Sequence, residues 1–214
     1  MRVMKENDVR LIKWFILVFI LANFSTSFAA TRIYQVDLLI FSHVTTKALL
    51  SESWPANLAM PLLSKAVDLK PLDEATPNAL YQVLPKNRSK FNKEVGILNK
   101  QAGYHVLVDM AWLQPALTIK RATWIHINGG SNVQINGMMK ISRPYLFQAD
   151  ADLVLTVPAA VLQQIAPNAA AKIGTTQFVL KQTASVRANQ IYYFDHPLFG
   201  VIVRITPLNE KIND

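Results

Sequence analysis

The chain contains no cysteine, and this one absence removes several classes of protein. Without thiols there is no disulfide scaffold, no cysteine nucleophile, no zinc ribbon and no lipidated cysteine of the bacterial lipoprotein type. The absence also fits an oxidising compartment, where an unpaired thiol is a liability. Charge is scarce as well: Asp, Glu, Lys and Arg make up 17% of the 214 residues, against 51% hydrophobic ones. That balance excludes a disordered chain, because enough apolar area exists to offset the entropy of ordering. Internal repeats and low-complexity tracts are missing too.

No long apolar run follows Ala30, and the one before it, Trp14 to Ala22, is short. A bilayer span needs about 20 apolar residues, and this run gives way to Asn23, Ser25, Thr26 and Ser27. Arg2, Lys5, Arg10 and Lys13 precede it, and the small residues Ser27 and Ala29 suit cleavage before Ala30. Residues 1–29 are therefore expected to be a signal peptide, leaving no stable membrane span once it is removed. The four bases and two acids before Ala30 leave with it, so 22 Lys+Arg against 14 Asp+Glu become 18 against 12, near +6. The remaining 185 residues are read as a single exported domain, residues 30–214, where nucleic acid is not an expected partner.

The periodicity of this domain is mostly that of strands. Ile33 to Phe41 is apolar on both faces and reads as a buried strand. From Ser42 to Lys90 the pattern fails, and Pro55, Pro61, Pro71, Pro77 and Pro85 punctuate a long irregular wrap carrying Trp54, Leu62, Leu69, Leu80 and Tyr81. Phe91, Val95, Leu98 and Ala102 recur at helical spacing, which predicts a helix from Ser89, as its cap, to Gly103, as its terminator. Tyr104 to Trp112 reads as a strand, as do Trp124 to Ile127, Val133 to Ile141, Tyr145 to Val157, Gln177 to Val186, Ile191 to Phe194 and Val201 to Thr206. Pro158 to Lys172 holds room for a short second helix, interrupted by Pro167. The sum is an α+β domain, a mainly antiparallel sheet with one principal covering helix.

Chemistry is harder to find. His43, His105, His126 and His196 lie far apart, with no H-x-x-x-H or H-x-x-E-H spacing, so no metal site is expected. No G-x-S-x-G elbow or S-x-x-K motif exists, so Asp195-His196-Pro197 reads as a turn. In that reading Asp195 accepts backbone N–H groups, Gly200 permits a sharp re-entry, and Phe194, Leu198 and Phe199 anchor the core. Asp150 and Asp152 are the best carboxylate pair, on one strand face with Cβ atoms about 7 Å apart. The simpler reading makes them, with Gln148, the polar face of an edge or of the entry into the apolar run Leu153 to Val157. No catalytic residue and no cofactor are expected.

Several segments together carry a resemblance. Tyr192-Tyr193-Phe194-Asp195-His196-Pro197-Leu198-Phe199-Gly200-Val201 is the specific part. Gly103-Tyr104-His105-Val106-Leu107, Ala111-Trp112-Leu113-Gln114-Pro115, Tyr34-Gln35-Val36-Asp37-Leu38 and Trp54-Pro55 accompany it. With them the chain resembles the CsiV family of periplasmic peptidoglycan-binding proteins, although a single Arg187 stands where that family tends to carry a run of arginines. The resemblance implies a non-enzymatic factor of the Gram-negative envelope that binds peptidoglycan and supports cell-wall biogenesis. The partner it implies is an outer-membrane lipoprotein that activates a bifunctional class A penicillin-binding protein.

An anionic wall polymer also accounts for net positive charge in an exported domain. Sugar rings call for planar side chains and stem-peptide carboxylates for cations, which makes Trp54, Trp112, Trp124 and Tyr192 the candidate platforms and Arg88, Lys90 and Lys93, beside Lys86, the candidate cations. Each has a plainer reading, as a core aromatic or a solvated helix face. The alternative function is a protein-binding module that uses an exposed sheet edge and contacts the wall only indirectly.

Overall fold

A computed structural model describes residues 32–55, 58–71, 80–168 and 170–208, so the expected signal peptide lies outside the described residues. The expected strands form with ends shifted by a few residues, but they build two sheets rather than one. The six-stranded sheet has the order β10-β11-β1-β5-β4-β3. Its strands are β1 (Ile33–Ser42), β3 (Lys70–Pro71), β4 (Gln82–Val83), β5 (His105–Pro115), β10 (Ile191–His196) and β11 (Phe199–Pro207). The five-stranded sheet has the order β2-β6-β7-β8-β9, from β2 (Ala66–Val67), β6 (Trp124–Gly130), β7 (Gln134–Ser142), β8 (Phe147–Thr156) and β9 (Gln177–Val186). Pairing is antiparallel except for β2 on β6 and β3 on β4. Short helices α1 (Thr46–Leu49), α2 (Asn92–Leu98), α3 (Ala159–Ile165) and α4 (Ala170–Ile173) join the strands.

Strand alternation explains the core. Val36, Leu38 and Ile40 of β1, Trp112 of β5, and Val201, Val203 and Ile205 of β11 point one way. They meet Ile125, Ile127, Ile135, Met139, Leu153, Leu155, Phe178 and Leu180 from the five-stranded sheet in one apolar cluster. Burying each such side chain contributes roughly 1.5–3 kcal/mol relative to leaving it in water. Two sheets facing across a shared core are a sandwich, and every strand keeps an outer face for other work.

The covering helix differs from its expectation. α2 spans only Asn92–Leu98, its N-cap is Phe91 rather than Ser89, and none of its own residues is fully buried. Gly96 at its centre costs about 1 kcal/mol relative to Ala. The outer face of the six-stranded sheet is covered instead by the segment just before the helix. Phe91 is fully buried, as are Leu39 and Ala111 on that face, while Leu84 N donates to Ala111 O. Ser89 Oγ donates to Asp109 Oδ1 and accepts from Phe91 N. Gly103 does take the expected left-handed conformation, with φ +83°.

The Tyr-Tyr-Phe-Asp-His-Pro segment makes the β10–β11 hairpin, with Phe194, Leu198 and Phe199 in the core as expected. Two details differ. His196 Nδ1, not Asp195, accepts the turn's backbone N–H, from Leu198, while Asp195 Oδ1 accepts from the Tyr193 hydroxyl. Gly200 is required by close approach, since a Cβ there would sit 2.5 Å from Phe41 Cζ and 2.6 Å from Tyr193 Cε2.

The irregular wrap ties the sheets together. Ala66–Val67 adds to the five-stranded sheet and Lys70–Pro71 to the six-stranded one, so consecutive short strands belong to different sheets. Asp68 between them binds His126 Nδ1 at 2.7 Å, and the other ring nitrogen meets Asn136 Oδ1 at 2.9 Å. Among the described residues no helix is long and apolar enough to cross a membrane.

Candidate functional site

The seven residues expected to bind ligand do not come together. Trp112 is fully buried, with Nε1 donating to Gln114 Oε1, so its ring has no face for a sugar. The half-buried Trp54 packs its edge on Phe178 at 4.9 Å and stacks on His196 at 5.6 Å, and its Nε1 donates to Leu49 O. It is an anchor for the chain leaving α1. Tyr192 points inward, edge-on to Phe194, while its neighbour Tyr193 takes the outer face and is 44% exposed. Platform and anchor differ by one residue because a strand alternates its faces.

Arg88, Lys90 and Lys93 are exposed along the segment that covers the six-stranded sheet. Their backbone, rather than their charge, is what the sheet holds. Gln35 Nε2 donates to Arg88 O, and Lys90 N donates to Asp37 Oδ1, each at 2.9 Å. Burial pushes the Asp37 carboxyl up, against the lowering effect of the Lys90 N–H and the Gln35 amide. The outward polar residues of β1 are thus docking points for the basic segment.

Trp124 is the one expected aromatic in a cleft. It opens on the outer face of the five-stranded sheet, on the other side of the sandwich from the basic segment, with a volume of about 530 Å³. The exposed Met60 and Leu62, with Lys65, form one wall from the irregular wrap, which β2 and the His126–Asp68 contact hold against the sheet. Burial lowers the affinity of His126 for a proton, but Asp68 and Asn136 more than offset it, so the imidazole is held above its ordinary pKa.

The floor of the cleft is charged in an ordered way. Register places Lys140 opposite Asp150, Asp150 opposite Thr183, and Asp152 opposite Lys181. Lys140 Nζ lies 3.3 Å from Asp150 Oδ2 and 4.6 Å from the centre of the Trp124 ring. Asp150 Oδ1 accepts from Gln148 Nε2 at 2.8 Å and from Thr183 Oγ1 at 2.7 Å. Lys181 Nζ lies 3.5 Å from Asp152 Oδ2, whereas Asp152 Oδ1 is buried with no donor among the described residues. β8 lies between β7 and β9, so Asp150 and Asp152 are on an interior strand and not an edge.

Lys140, Lys181 and Thr183 are the site residues that the sequence pattern left unmarked. The one signal for them was the Gln148-x-Asp150-x-Asp152 alternation, which asks for cations on the flanking strands. A larger cavity of about 650 Å³, between Val44, Leu107, Val133 and Ile165, has no Lys, Arg, Asp or Glu on its wall among the described residues. Among the described residues no group of three or more His, Asp or Glu converges as a metal site.

Two facing sheets joined by short helices, with a roofed, mixed-charge cleft on one outer face, define a mainly β domain of the α+β class with one candidate binding site on that face. The chain belongs to the CsiV family: the family model described as "Peptidoglycan-binding protein, CsiV" matches residues 12–208. No curated protein and no solved structure matches the chain.

Proposed function

We propose that this protein is a non-enzymatic, periplasmic peptidoglycan-binding factor that supports cell-wall synthesis, and that it holds the polymer in the Trp124 cleft. The carrying observation is the cleft itself, which combines an indole, three lysines and two carboxylates on an exposed sheet face. Stem peptides supply the matching charges and the sugars supply hydroxyl groups for the carboxylates. Family membership supports the ligand. The non-enzymatic reading draws on the same geometry. A carboxyl pair that works on a glycosidic bond must be open to it, and each carboxylate here already faces a lysine ammonium, at 3.3 and 3.5 Å. The partner in this reading is an outer-membrane lipoprotein that activates a class A penicillin-binding protein.

The test is co-sedimentation of the protein with insoluble sacculi. Pelleting at low salt that weakens with added salt and with Trp124→Ala supports the cleft, and a supernatant holding all of the protein defeats it. A second reading has its own observation. β10 ends the six-stranded sheet and carries Ile191, 56% exposed, beside Tyr193. An edge strand that β9 meets through Gln182 Nε2 to Asp195 O, with Ile191 and Tyr193 on its outer face, suits strand addition by a partner protein. Capture of the lipoprotein without any pelleting on sacculi would favour it.

A further inference from the structure

We infer that the cleft recognises an ammonium and a carboxylate carried on one carbon, the free end of a stem-peptide diamino acid, and so distinguishes uncross-linked from cross-linked peptidoglycan. This rests on the reading that peptidoglycan occupies the cleft.

The two cross-strand ion pairs are not equivalent. The Lys140–Asp150 pair is enclosed: the lysine side chain is 13% exposed and lies over Trp124, Asp150 Oδ1 takes two hydrogen bonds, and Oδ2, without a hydrogen bond among the described residues, faces the Lys140 ammonium at 3.3 Å. The Lys181–Asp152 pair is loose. Lys181 is 69% exposed, whereas the Asp152 side chain is 8% exposed and keeps Oδ1 without a donor. An ion pair with one partner so exposed contributes little, while a buried acceptor left unmade is costly. A ligand ammonium that takes the place of the exposed Lys181 at this carboxylate and bonds Oδ1 removes that cost. The displaced Lys181, together with Lys65 on the facing wall, is then free to meet a carboxylate beside that ammonium.

Few groups in peptidoglycan offer both charges on one carbon. Glycan hydroxyl groups are neutral, and a terminal alanine presents a carboxylate alone. A diamino acid of the 2,6-diaminopimelate type presents both at its free end. Cross-linking acylates the amine to an amide, which keeps the carboxylate, removes the positive charge and adds bulk at the nitrogen. The cleft therefore favours strands not yet joined to their neighbours, which is where synthesis is under way.

The experiment titrates the full chain with an uncross-linked disaccharide-tetrapeptide carrying a free diamino acid, with the same muropeptide acetylated on that amine, and with its cross-linked dimer. Loss of the charged hydrogen bond should weaken binding of the acetylated form by about tenfold or more. Asp152→Asn, which keeps the shape of the side chain, should weaken the free-amine form to a similar extent and leave the acetylated form unchanged. Equal affinity for free and acetylated muropeptides, with sacculus pelleting intact, overturns the inference and leaves peptidoglycan binding standing. Absence of pelleting as well removes both.

Discussion

The outer faces of the two sheets both bury charged residues, and they treat them in opposite ways. On the six-stranded sheet, Gln35 and Asp37 are covered by the segment around Ser89 and bind its backbone at Arg88 O and Lys90 N. Backbone groups are fixed once the chain is folded, so that face is closed and its lysines are left to solvent. On the five-stranded sheet, Asp150 and Asp152 meet the ends of lysine side chains, and the Asp152 pair includes the exposed Lys181. Side chains can be exchanged for a ligand. A buried carboxylate tied to backbone, as Asp37 is through Oδ1, makes structure, and one facing flexible side chains makes a site.

The contrast can be broken most forcefully at Asp37. Asp37→Ala leaves the Lys90 N–H without its acceptor and takes one of the two acceptors of the Gln35 amide, so stability should fall by about 1–3 kcal/mol, read by urea unfolding. Sacculus binding of the fraction still folded should be unchanged. On the other face, Trp124→Ala should reduce binding about tenfold by releasing Lys140 from its ring, a loss of about 1.4 kcal/mol, with a smaller change in the unfolding midpoint than at Asp37.

The third test is acid. His196 is buried between Trp54 and Phe199, accepts from Leu198 N on Nδ1, and burial lowers its pKa from 6.5 to about 4. A histidine held neutral in the folded state contributes stability that is present above pH 6.5 and is lost as pH falls towards 4. The thermal midpoint should therefore decline across that window, and His196→Gln should flatten the decline; a midpoint rising on acidification would contradict the buried neutral ring. The smallest effect is expected at the basic segment. Charge reversal at Arg88, Lys90 and Lys93 should change pelleting about threefold or less at physiological salt, because exposed charges are screened. A larger loss than that at Trp124 would move the site to the six-stranded sheet.

The strands were legible because alternation of apolar residues is a local property. Ile33–Ser42, Gln177–Val186 and the hairpin at His196 could each be read from their own residues. The division into two sheets could not, because no strand carries a mark saying which others it pairs with. The helix is shorter than its spacing suggests for a related reason: Phe91 fits the helical spacing but is buried at the N-cap, ahead of the first turn. Trp124 was legible as an aromatic and its cleft was not, since Lys140 and Lys181 reach Asp150 and Asp152 only through strand register. Tyr192 shows the limit within one strand, where the choice between neighbours needed the direction of the core.

The two-sheet path of the irregular wrap has a kinetic consequence. Ala66–Val67 and Lys70–Pro71 hydrogen-bond to different sheets within six residues, so neither short strand can detach far without pulling on the other. Their amide protons should exchange with solvent as one cooperative unit, opening at a rate separate from global unfolding. A muropeptide seated against the Met60–Lys65 wall should slow exchange at Lys70 as well, on the edge of a sheet it never touches.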